Sequence, residues 1–256
     1  MYDTSQENLE SARSAINAHN AGLVKAGVLQ ERQAREDEDR LTQTRDATLV
    51  GATAQLLSES APEDLKIKLR VFETFSAVCG PDVVFTTNTS DLLPSMLAEA
   101  TGRPDRFAAF HFHAPMLGAH LVDIMPHPGT SAETVSLLQG VAARLGQETT
   151  LLTREHPGYV FNTLLNAWNR AALELAANGV ATPEDVDKAW KTVMRAPIGP
   201  FGVLDRVGLD TALRITQLGA EAYQDPGLRV IATYLNGYVA KGLLGVKSGQ
   251  GFYEYA

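Results

Sequence analysis

The chain has a single cysteine, Cys79, so no internal disulfide can form. None of its apolar runs approaches the length needed to cross a bilayer. The start, Met1-Tyr2-Asp3, has neither the charged flank nor the apolar core of a secretory signal. Positive charge is scarce: 22 Lys and Arg stand against 30 Asp and Glu, a net charge of −8. The basic residues are scattered, so nothing attracts a phosphate backbone. Internal repeats and low-complexity tracts are also missing. These absences predict a cytoplasmic protein with no membrane or nucleic-acid partner.

What is present is an ordinary globular composition: 256 residues, 45% hydrophobic and 20% charged, enough for one large core or two modest ones. The most informative stretch is Phe107-Ala108-Ala109-Phe110-His111-Phe112-His113-Ala114-Pro115, followed by His120-Leu121-Val122-Asp123-Ile124-Met125-Pro126. Two apolar runs each carry an ionisable residue. If both are strands, Asp123 can orient the ring of His111 and stabilise its protonated form, which is how a general base is built.

Along the chain, the first 40 residues read as a helical hairpin, with Thr4 and Glu7 spaced as a capping box. A short apolar piece over 47–60 leads into Ser60-Ala61-Pro62-Glu63, a second capping box opening a helix over 65–78. Val83-Val84-Phe85-Thr86-Thr87 is β-branched and aromatic and predicts a strand, which Asn88-Thr89-Ser90 ends in a polar turn. Thr130 and Glu133 cap a helix with an apolar stripe, and 149–153 is a further strand. Alternating strand and helix predicts a mostly parallel α/β sheet for residues 1–155. From 156 to 256 the pattern is helical only: one helix stops at Asn178-Gly179, Thr182-Pro183-Glu184-Asp185 opens the next, and two more run over 210–223 and 226–241.

Several motifs in this order resemble the 3-hydroxyacyl-CoA dehydrogenases, including the 3-hydroxybutyryl-CoA dehydrogenases. They are Asn88-Thr89-Ser90; His111-Phe112 with Pro115; Leu121-Val122-Asp123; Pro157-Gly158-Tyr159-Val160-Phe161-Asn162; Gly199-Pro200-Phe201 with Asp205; Gly208-Leu209-Asp210-Thr211; and the ending Gly245-Val246-Lys247-Ser248-Gly249-Gln250-Gly251-Phe252-Tyr253. The resemblance spans nearly the whole chain and implies a Rossmann-like domain followed by an all-α substrate and dimerisation domain. It implies interconversion of 3-hydroxyacyl-CoA and 3-oxoacyl-CoA with NAD, as in β-oxidation of fatty acids, by a homodimer that needs no metal. His111 would be the base, and Asp123 would stand where the family usually has Glu. Ser90 and Asn162 would hydrogen-bond the substrate oxygen or thioester carbonyl. Glu63 and Lys68 would lie along the cofactor and CoA, Asn88 beside the nicotinamide ribose, and Asp3 at the adenosine ribose.

Besides Asp123, the chain departs from the family pattern in three further respects. It begins at what resembles the end of the family's second strand, and it contains no Gly-x-Gly-x-x-Gly. The Rossmann-like domain is therefore expected to be incomplete and its NAD affinity weakened. Ala114 stands where Asn is common. Two other outcomes follow from the same residues: a catalytically inactive, truncated paralogue that keeps its dimer surface as a binding or structural protein, and a zinc hydrolase using His111, His113 and Asp123, with His120 and His127 also metal-capable.

Overall fold

The structure is a computed structural model that describes residues 1–113 and 120–255, so the sequence motif positions Ala114 and Pro115 lie outside the described residues. The chain divides into two compact units, Met1–Val160 and Phe161–Ala256. The division falls just past the His156-Pro157-Gly158 turn.

In the first unit, α1 (Gln6–Lys25) and α2 (Glu31–Arg40) pack together as the expected helical pair. The cap of α1 is Ser5, which accepts from Asn8 N, rather than the Thr4–Glu7 box. The reason is local: Asp3 Oδ1 accepts the Ser5 backbone N–H at 2.7 Å and turns the chain one residue later. Tyr2 and Thr44 form a parallel bridge beside this pair.

The run over 47–60 is two elements, α3 (Ala47–Gly51) and β1 (Leu56–Glu59). After β1, helix α4 (Leu65–Val78) is capped by Asp64, which accepts from Ile67 N at 3.0 Å. The expected box at Ser60–Glu63 does not form, because the Glu63 carboxylate is taken up by another turn described below. There follow β2 (Val84–Thr87), β3 (Phe107–Phe112), β4 (Leu121–Pro126), α5 (Ala132–Arg144) and β5 (Glu148–Leu151). The cap of α5 is Ser131 rather than Thr130, whose hydroxyl donates instead to Phe107 O at 2.7 Å.

The sheet order is β1-β2-β3-β4-β5, with only the β3/β4 pairing antiparallel. Side chains alternate across it. On one face Phe85 and Phe107 meet Phe72 and Phe75 of α4, and on the other Val84, Ala108, Phe110, Val122 and Ile124 meet Leu138 and Ala142 of α5. A sheet covered on both sides needs apolar residues at nearly every position, which explains the unbroken apolar runs. A buried polar side chain in β3 or β4 is the exception.

The second unit is all helical: α6 (Phe161–Ala177), α7 (Pro183–Met194), α8 (Pro200–Val207), α9 (Leu209–Ala222) and α10 (Pro226–Val239). Its core holds Leu173, Phe201, Leu204, Leu209, Leu213, Ile231 and Leu235. Two buried carboxylates tie it together. Asp187 of α7 accepts from Phe201 N at 2.9 Å and Gly202 N at 3.0 Å, so one helix caps the N-terminus of another. Asp205 of α8 accepts from Phe252 N, Tyr253 N and the Tyr255 hydroxyl, each at 2.9 Å, and so pins the C-terminal segment. A Cβ at Gly251 would overlap this carboxylate, so the close approach requires glycine there.

Two expectations follow. Asp205→Ala strands three donors in a buried site and should lower the stability of the helical unit by about 3 kcal/mol or more, read as a lower urea midpoint; an unchanged midpoint would contradict this role. Burial pushes the Cys79 thiol pKa up against a weaker downward pull from Arg103, so native protein should react with an aromatic disulfide far more slowly than protein unfolded in urea.

Candidate functional site

Antiparallel pairing of β3 with β4 sets His111 directly opposite Asp123. Both are buried, at 5% and 0% exposure. The face of β3 that begins with Phe107 and Ala109 continues as His111, and Asp123 and Met125 lie on the same face of β4. Asp123 Oδ2 stands 3.5 Å from His111 Nδ1, an ion-pair distance, but Nδ1 makes no hydrogen bond to any described residue. The same Oδ2 lies 2.8 Å from His113 Nε2, and Oδ1 accepts from the Thr150 hydroxyl. Burial alone would raise the pKa of this carboxyl. His111, Thr150 and His113 outweigh it and hold Asp123 below the usual carboxylate range. A carboxylate kept charged in a dry site is well suited to stabilise an imidazolium.

The outer nitrogen of His111, Nε2, is 3.2 Å from Ser90 Oγ. Ser90 follows β2 in the 88–92 turn, which is organised by a distant side chain. Glu63 Oε1 accepts the Thr89 hydroxyl and the backbone N–H groups of Ser90 at 3.2 Å, Asp91 at 3.1 Å and Leu92 at 3.4 Å. Burial opposes this charge, but the Thr89 hydroxyl, the backbone donors and Lys68 lower the Glu63 pKa on balance. Lys68, 1% exposed, donates to Glu59 Oε1 at 2.8 Å and to Ala61 O at 2.9 Å, and lies 3.4 Å from Glu63. The ammonium and the two acids thus link the ends of β1 and β2.

Of the other residues singled out in the sequence, Asn88 is half-buried and its Oδ1 accepts Phe112 N at 2.8 Å, joining the 88–92 turn to the end of β3. Asp3 is half-buried at the Tyr2–Thr44 bridge and accepts from Ser5 N and, at 3.3 Å, from the Asn8 amide. Asn162 lies half-buried in the first turn of α6, in the second unit. The structure therefore brings His111, Asp123, Ser90, Asn88, Glu63 and Lys68 together in the first unit.

Sequence inspection missed Tyr159 and gave His113 only a metal-binding role. Tyr159, 2% exposed and at φ 53°, stacks on the His111 ring with centroids 4.5 Å apart and planes 9° from parallel. Its hydroxyl donates to Thr89 O at 2.7 Å. Burial, with Asp123, Glu63 and Asp91 nearby, pushes its pKa far up, so the phenol stays neutral. The only signal was its place after Pro157-Gly158, which says nothing about the ring it meets. His113 was foreseeable from the i, i+2 spacing, because both imidazoles fall on one face and their rings lie 4.9 Å apart.

Residues 1–155 match the profile of the 3-hydroxyacyl-CoA dehydrogenase NAD binding domain, and residues 158–255 that of the 3-hydroxyacyl-CoA dehydrogenase C-terminal domain. A probable 3-hydroxybutyryl-CoA dehydrogenase of Bacillus subtilis is 31% identical over 256 residues, covering all of this chain and 88% of the relative. The mitochondrial hydroxyacyl-coenzyme A dehydrogenase of Homo sapiens is 33% identical, covering 96% and 77%. Among solved structures, (S)-3-hydroxybutyryl-CoA dehydrogenase from Ralstonia eutropha superposes with a TM-score of 0.87 at 28% identity, covering all of this chain and 89% of the other. A diketoreductase superposes with a TM-score of 0.93 at 33% identity, covering 99% and 89%. The chain belongs to the 3-hydroxyacyl-CoA dehydrogenase family.

Proposed function

We propose that this chain interconverts 3-hydroxyacyl-CoA and 3-oxoacyl-CoA with NAD, using His111 as the base. The observation that carries this is the buried imidazole with a charged carboxylate on its inner side and a serine hydroxyl 3.2 Å from its outer nitrogen. His111 Nε2 takes the hydroxyl proton of the substrate in the oxidising direction and returns it in the reducing one. Asp123 stabilises the imidazolium between these steps, and the flat Tyr159 ring fixes the plane of the imidazole. Ser90 hydrogen-bonds the substrate oxygen or thioester carbonyl and polarises it.

NAD, when bound, supplies the two-electron acceptor. Ligands of open α/β sheets bind outside the carboxyl ends of the strands. The parallel strands β1 and β2 end at the Glu63 and Asn88 turns, so the residues present fit the nicotinamide side of such a site. Asn88 would hold the ribose there, and Asp3 the adenosine ribose. Glu63 and Lys68 act on the cofactor side through the 88–92 turn that Glu63 holds. The given residues contain no Gly-x-Gly-x-x-Gly. No helix among the described residues is long and apolar enough to cross a membrane. A cytoplasmic homodimer paired through the helical unit fits the exposed apolar side chains of α7 and α9, Val193, Met194, Ile215 and Leu218.

His111→Ala should lower NADH-linked turnover of 3-oxoacyl-CoA substrates by roughly 10²- to 10⁴-fold with an unchanged circular dichroism spectrum. Retention of the full rate would remove His111 from the reaction. Glu63→Gln should disorder the 88–92 turn and raise the KM for NADH. Because the folded pKa of Glu63 is lowered, its stabilising effect is fully present above its unfolded value of about 4.3 and is lost as pH falls through the folded value. The stability gap between wild type and Glu63→Gln should thus be widest near neutral pH and close in acid; a pH-independent gap would contradict this.

A further inference from the structure

We infer that His111, His113 and Asp123 form a binding site for one divalent transition-metal ion such as Zn²⁺ or Co²⁺, and that an ion bound there switches the base off. All three side chains are at least nine-tenths buried, and their donor atoms lie within 4.8 Å of one another. Metal–ligand distances of about 2.0–2.2 Å in a tetrahedral site separate neighbouring donors by about 3.4 Å. The distances from Asp123 Oδ2, 2.8 Å to His113 Nε2 and 3.5 Å to His111 Nδ1, bracket that value. Two imidazoles and a carboxylate are a donor set that suits zinc and its neighbours and leaves a fourth position for water.

Two further features point to a ligand. The buried His111 Nδ1 lies 3.5 Å from Asp123 Oδ2 yet makes no hydrogen bond to any described residue, a partnership that an ion replacing its proton would supply. The outer shell that a metal site needs is also in place. The Thr150 hydroxyl donates to Asp123 Oδ1 and leaves Oδ2 for the ion, while Ser90 Oγ at 3.2 Å can accept a proton carried by His111 Nε2. The proposed reaction uses His113 nowhere, although it makes the shorter contact to Asp123.

The chemical consequence follows from the two faces of one imidazole. A metal on Nδ1 keeps the proton on Nε2, the nitrogen that must be bare to accept the substrate proton. Metal uptake displaces protons shared with Asp123 and disables the base, and a chelator restores it. The inhibitory effect rests on His111 being the base, whereas the binding site does not.

The test is titration of chelator-treated, full-length protein with Co²⁺, followed by visible absorption and by metal analysis after gel filtration. Uptake of one ion per chain with the intense ligand-field bands of a low-coordinate site is expected. Both should be lost in His113→Phe and in Asp123→Asn and kept in His19→Ala, which alters an exposed histidine. The isosteric Asp123→Asn decides the matter if His113→Phe fails to fold. Absence of one-to-one uptake, or uptake and spectrum unchanged in the folded variants, would overturn the site. Stoichiometric Zn²⁺ should abolish turnover reversibly. If Co²⁺ binds as expected and Zn²⁺ leaves turnover intact, the coupling to His111 is wrong and the site stands. A protein without dehydrogenase activity still reports the site through its Co²⁺ spectrum.

Discussion

The antiparallel register of β3 and β4 is the constraint on which the site depends. It pairs His111 with Asp123, and because side chains alternate with a period of two, a slip of one residue would send the carboxylate to the α5 face. The apolar neighbours make such a slip costly: Val122 and Ile124 would leave the face that packs against Leu138 and Ala142 of α5. Hydrophobic packing on one face thus holds the proton-handling pair in place on the other.

Around that pair the protein keeps its buried charges by surrounding them with donors. Asp123 has Thr150 and two imidazoles, Glu63 has a ring of backbone N–H groups, and Lys68 sits between two acids and a carbonyl. Each would be destabilising if left alone. Together they connect the ends of β1, β2 and β3 through the 88–92 turn, so the serine that faces His111 is placed by an acid 27 positions earlier in the chain. The helical unit uses the same device at Asp187 and Asp205, where carboxylates tie helix starts and the chain end.

Much of this was legible in the sequence because the signals were long or chemical. The apolar runs of β3 and β4 with one ionisable residue each, the Thr182-Pro183 start of α7 and the Asn178-Gly179 stop of α6 are strong local patterns. The strand β1 was hidden: it has four residues, and its Glu59 looks like surface although it is 3% exposed and paired with Lys68. Helix starts were displaced where a tertiary partner took the capping group, as with Glu63 and Thr130. Likewise the 88–92 turn read as a polar loop, with no hint that Glu63 holds it. The stacking of Tyr159 on His111 joins residues 48 positions apart, a relation that no local pattern encodes.

The most direct measurement is histidine ¹⁵N NMR of the protein with ¹⁵N-labelled histidine, titrated with a 3-oxoacyl-CoA in the presence of NADH. His111 is assigned by its loss in His111→Ala. A displacement confined chiefly to His111 Nε2, with Nδ1 staying next to the Asp123 carboxylate, is the expected result. A His111 resonance that does not move when substrate saturates the protein would contradict its role as the group that exchanges a proton with the substrate.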